Sequence, residues 1–158
     1  MYTGLDLMEK LILQAKWRKQ IWANLKKKEK DVGKKILLKM LRDKTSRDIT
    51  YYEQLTVQMK TQEAEIIDFF IYDKVASLMN QYKARIESIP QLKTKNEIIN
   101  FAIELEEGMI ALLLDIQGRL VQKSEAEDTR IYKLLLEMID QKSKYVDELK
   151  RFTRIKAQ

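Results

Sequence analysis

The chain has 158 residues, 30 basic and 24 acidic, for a net charge of +6, and 45% of them are apolar. That apolar share can fill one sizeable core, while four glycines and a single proline are too few turn residues for an all-β fold. With no Cys and no His, disulfides, Cys/His zinc sites, iron–sulfur clusters, thiol nucleophiles and Ser-His-Asp triads are excluded, and a metal site would rest on oxygen ligands suited to Mg, Ca or Mn.

The apolar period is helical almost throughout. Thr3-Gly4-Leu5-Asp6 has capping-box spacing and opens a helix over roughly 6–28, with Met8, Ile12, Ala15, Trp22 and Leu25 on its stripe. Asp31 is the expected N-cap of a second helix reaching about Lys60, with the stripe Leu37, Met40, Lys44, Arg47, Tyr51, Leu55. Thr61 is read as the cap of a third, crossover segment, with Glu63 and Glu65 favourable near a positive helix end and Ser88-Ile89-Pro90 as its terminus. Thr94-Lys95-Asn96-Glu97 opens a fourth helix with the stripe Ile99, Ala102, Glu106, Met109, Leu113, Ile116, Leu120. Ser124-Glu125-Ala126-Glu127 has the same spacing. It opens a last helix with the stripe Ile131, Leu134, Met138, Gln141, Tyr145, Leu149, Phe152.

A faint repeat links the two ends of the chain. Trp22 and Leu25 correspond to Leu113 and Ile116, and Asp43-Lys44-Thr45-Ser46-Arg47 corresponds to Asp140-Gln141-Lys142-Ser143-Lys144. The expected fold is all-α: an antiparallel four-helix bundle of ferritin-like topology in one domain. Its parts are a hairpin over 5–60, a helical crossover over 61–90 and a hairpin over 94–157. The longest apolar run, Met109 to Leu114, ends at Asp115 and is too short to span a bilayer. Met1 to Asp6 lacks the basic start and apolar core of a signal peptide, so a cytoplasmic protein is expected. Abundant Lys, Glu and Ile without Cys or His is a thermophile-like composition.

The stretch from Phe101 to Ile116, with Glu106, Gly108 and the bulky residues after it, resembles the ligand-bearing helix of rubrerythrin-type ferritin-like domains. Leu134 to Phe152 resembles their partner helix, and the first two helices resemble a worn copy of the same hairpin. The resemblance implies a di-iron centre built from a Glu on each of two helices and Glu-x-x-His on each of the other two. Carried onto this chain, the first Glu is Ala15 and the first Glu-x-x-His is Lys44-Thr45-Ser46-Arg47. The second Glu is Glu106, and the second Glu-x-x-His is Gln141-Lys142-Ser143-Lys144. One carboxylate remains and three replacements are cationic, so the set repels metal cations. The resemblance therefore leads to a bundle without cofactor or catalysis, acting as a scaffold or interaction module. Glu106 is expected inside, paired with Lys144, Lys44 or Arg47, unless those bases snorkel to water.

Other features have weaker chemistry. Lys16, Arg18, Lys19, Lys26, Lys27 and Lys28, with Trp17 among them, form a possible basic surface for nucleic acid, and Arg151, Arg154 and Lys156 a smaller one. A solvated helix face is the favoured explanation of both, and weak binding is the expectation. Glu104 with Glu107, and Glu125, Glu127 and Asp128, match no calcium loop. Phe69-Phe70-Tyr72 suits packing or a homodimer or helical-partner surface.

Overall fold

Residues 1–120 and 129–157 are described by a computed structural model, with side chains described through Thr153. The chain divides into two compact units, Met1–Ile67 and Asp68–Gln158. Among the described residues the regular structure is helical, apart from one pair of two-residue strands.

The first unit is a helical hairpin. A short strand, β1 (Tyr2–Thr3), leads into α1 (Gly4–Lys28). Thr3 Oγ1 accepts from the Asp6 N–H, and the Asp6 carboxylate accepts from the Thr3 N–H at 2.8 Å, a complete capping box. Lys26, Lys27 and Lys28 occupy the last turn of α1, where the helix dipole favours cations. Asp31 then caps α2 (Val32–Lys60), accepting from the Lys34 N–H at 2.9 Å. Beyond α2, β2 (Ile66–Ile67) pairs antiparallel with β1, Tyr2 opposite Ile67 and Thr3 opposite Ile66. The Gly4 N–H extends the ladder to Glu65 O at 2.9 Å. Because β1 precedes α1 and β2 follows α2, the pairing ties the open end of the hairpin shut.

Two expectations fail in this unit. Thr61 does not open a helix: its N–H donates back to Gln58 O, and the next N–H, of Gln62, donates to Met59 O, which makes Thr61 the end of α2. The core stripe of α2 runs one residue later than the sequence reading, through Leu38, Leu41, Thr45, Ile49, Tyr52 and Thr56. Adjacent apolar pairs such as Leu37-Leu38 and Tyr51-Tyr52 allow either stripe. Packing selects the one that spares Lys44 and Arg47 the cost of desolvation.

Among the described residues the second unit holds three helices. Asp68, not Thr61, caps α3 (Phe69–Glu87), accepting from the Phe70 N–H at 2.9 Å. Val75, Met79, Tyr82 and Ile86 form its buried face, and Phe69 and Phe70 are exposed. The segment around Pro90 separates α3 from α4 (Lys95–Leu120), whose Thr94 cap accepts from the Glu97 N–H at 3.1 Å. α3 packs on α4, and α4 packs on α5 (Arg130–Ala157). The Ser124 capping box lies outside the described residues. At the start of α5, Thr129 Oγ1 accepts from the Tyr132 N–H at 3.2 Å.

The α4 stripe is buried as read from Ile99 to Ile116, with Leu120 half-buried. The α5 stripe slips by one residue through its middle. Ile131, Leu135, Met138, Lys142, Val146 and Leu149 are buried, while Gln141 and Phe152 are exposed.

Candidate functional site: a buried ion pair between α4 and α5

Glu106 lies one turn after Ala102 and one turn before Met109 on the buried face of α4, so helical periodicity alone carries its carboxylate inward. Lys142 follows Met138 by four residues on the buried face of α5. Lys142 Nζ donates to Glu106 Oε2 at 2.9 Å, and the two side chains are only 5% and 9% exposed. Neither charge could be held there alone. An isolated ion loses far more hydration than a protein interior returns, and a well-aligned charged hydrogen bond offsets that loss.

The partner of Glu106 is therefore Lys142, and the expectation of Lys144, Lys44 or Arg47 is corrected. Lys144 is exposed and pairs with Asp140 at 3.0 Å on its own helix. Gln141 is exposed, 3.5 Å from Glu137. Lys44 is half-buried on the flank of α2, bonded to Asp48 at 2.7 Å, and Arg47 is exposed. Ala15 is fully buried in α1. The error has one source, the one-residue slip in α2 and α5, and Leu135 and Val146 are the signal that would have exposed it in α5.

The possible basic surface is also corrected. Lys16, Lys19, Lys27 and Lys28 are exposed and Lys26 is half-buried, but Arg18 is only 1% exposed. It shares the buried face of α1 with Gln14, whose two polar side-chain atoms are buried without a hydrogen-bond partner among the described residues. Sequence reading missed Gln14 and Arg18 because the buried face of α1 is wider than one stripe, running also through Leu7 and Leu11. Arg151 is exposed, and the side chains of Arg154 and Lys156 lie outside the described residues, as do Glu125, Glu127 and Asp128.

No family model, curated protein or solved structure matches this chain. The chemistry of the site is thus read from its own residues. Glu106 already has a cationic partner, and Glu104 and Glu107 are exposed, Glu107 pairing with Lys150 at 2.9 Å. Among the described residues no group of three acidic side chains could hold a metal ion. These residues do not fit a di-iron centre. A lysine ammonium already neutralises the one inward carboxylate and would repel a metal cation placed beside it. No described helix is long and apolar enough to cross a membrane.

Proposed function

We propose that this protein is a ferritin-like helical bundle of rubrerythrin type that has left iron chemistry. In this reading it is a non-catalytic scaffold or interaction module in the cytoplasm. The observation that carries the reading is the Lys142–Glu106 pair: the cation that an inward carboxylate requires is supplied by the chain itself. The repeat between the hairpins adds support, since it makes Ala15 the counterpart of Glu106 and Thr45 the counterpart of Lys142. The exposed aromatic pair Phe69 and Phe70, in edge contact at 5.9 Å, suits a homodimer or helical-partner surface.

Metal analysis of protein produced in iron- and manganese-supplemented medium tests this reading. The expected result is no stoichiometric metal, and the same trace content in Glu106→Gln. Two metal ions per chain, lost in Glu106→Gln, would instead establish a metal-dependent oxidoreductase. A second reading, a basic helical protein that binds nucleic acid, has exposed Lys16, Lys19, Lys27 and Lys28 in its favour and loses Arg18 to burial. Submicromolar binding that survives physiological salt, and disappears when Lys26, Lys27 and Lys28 become Glu, would put it first.

A further inference from the structure

A cleft of about 350 Å³ lies between the end of α3 and the middle of α4, within the second unit. Gly108 lies beneath the Tyr82 ring. A Cβ there would stand 3.0 Å from Tyr82 Cε2, a tight contact that would make the ring give by a few tenths of an ångström. The Tyr82 hydroxyl is anchored by donating to Leu105 O at 2.7 Å, which fixes the floor. The apolar wall is Ile86, Pro90, Phe101 and Leu105.

Two opposite charges also line the cleft, Arg85 from α3 and Glu104 from α4. The Arg85 guanidinium carbon lies 6.0 Å from the Tyr82 ring centroid, which holds it at the cleft. No ion pair joins Arg85 to Glu104 among the described residues, so both charges remain open to a third molecule. A preformed apolar hollow with a few convergent polar groups is the usual form of a small-molecule site.

We propose that this cleft binds a free α-amino acid with an apolar side chain. Its carboxylate meets Arg85, its ammonium meets Glu104, and its side chain lies on Ile86, Pro90, Phe101 and Leu105. A fatty acid could pair with Arg85 but would leave Glu104 unmatched beside its carboxylate, and an apolar amine could pair with Glu104 but would leave Arg85 unmatched beside its ammonium. Only a zwitterion satisfies both. Size agrees, since a cavity of about 150 Å³ holds benzene, which leaves this one room for the charged groups as well. The proposal goes beyond the scaffold reading and does not depend on the fate of Glu106.

Calorimetric titration of the whole chain with L-phenylalanine and L-leucine tests it, with 3-phenylpropionate and phenethylamine as probes that each lack one charge. Saturable binding of the amino acids is expected in about the millimolar range, given the modest return per atom of such ligands. Each single-charge probe should bind roughly tenfold more weakly, and Arg85→Gln and Glu104→Gln should each weaken phenylalanine by about the same factor. Both positions are exposed, so the fold should survive, which circular dichroism checks. Absence of saturable binding, binding untouched by both substitutions, or a single-charge probe binding as well as phenylalanine would each overturn the proposal.

Discussion

The two long hairpins bury different chemistry at corresponding positions. In the first, Ala15 and Thr45 occupy the places that the repeat assigns to Glu106 and Lys142 in the second. All four are buried. Thr45 satisfies its hydroxyl locally, donating to Leu41 O at 2.9 Å on the preceding turn of α2, and Ala15 has no polar side-chain atom. Lys142 instead reaches across to another helix, 36 residues away in sequence. Where the repeat sets a small residue and a locally satisfied hydroxyl in one hairpin, it sets a matched charged pair in the other. Half of the charged pair would be the costly state.

Splitting the charged pair should have the largest effect. Lys142→Ala or Glu106→Ala should lower unfolding free energy by about 3–5 kcal/mol in urea titration, because each strands a buried charge. Glu106→Gln should cost less, since the amide oxygen still accepts from Lys142. The double substitution Glu106→Leu with Lys142→Met should recover most of the loss. A double variant as weak as the single ones would show that the pair itself, not the stranded charge, supplies the stability.

Introducing charge into the neutral hairpin sharpens the comparison from the other side. Ala15→Glu should cost about 3 kcal/mol or more, from an unpaired carboxylate at a fully buried position. Adding Thr45→Lys should return part of it, with a coupling energy of about 1 kcal/mol or more in a double-mutant cycle. Zero coupling would mean that the repeat does not align these two positions in space.

Smaller effects follow from local bonds. Thr3→Ala removes the α1 cap beside the β1–β2 pair and should cost about 1 kcal/mol. Thr45→Val should cost no more than about 1 kcal/mol, since it removes one side-chain bond within a single helix. Gln141→Ala, Lys144→Ala and Arg47→Ala should all stay within about 0.5 kcal/mol, as expected of exposed side chains. A loss near that of Lys142→Ala at any of these three would restore the register read from the sequence.

What the sequence determined by itself was local. The helix starts at Thr3, Asp31 and Thr94 and the break at Pro90 follow from side chains bonding to backbone a few residues away, or from a missing N–H. The inward turn of Glu106 was legible because the apolar face of α4 is wide, with Ala102, Leu105, Met109 and Leu113 buried around it, so a one-residue slip would still leave it inside. The start of α3 was not: Thr61 and Asp68 are both good caps, and the intervening Ile66 and Ile67 are taken up by a strand whose partner lies at the other end of the unit. Only the tertiary structure decided the register of α2 and α5, and with it whether Lys44, Gln141 or Lys142 faces the core. Neighbouring residues on a helix differ in direction by about 100°, and paired apolar residues such as Leu37-Leu38 and Leu134-Leu135 leave two stripes nearly equal in hydrophobicity. The choice between them is made by the facing helix. In α5 it is made by the carboxylate of Glu106, which rewards an ammonium at 142 and leaves the amide of Gln141 to water.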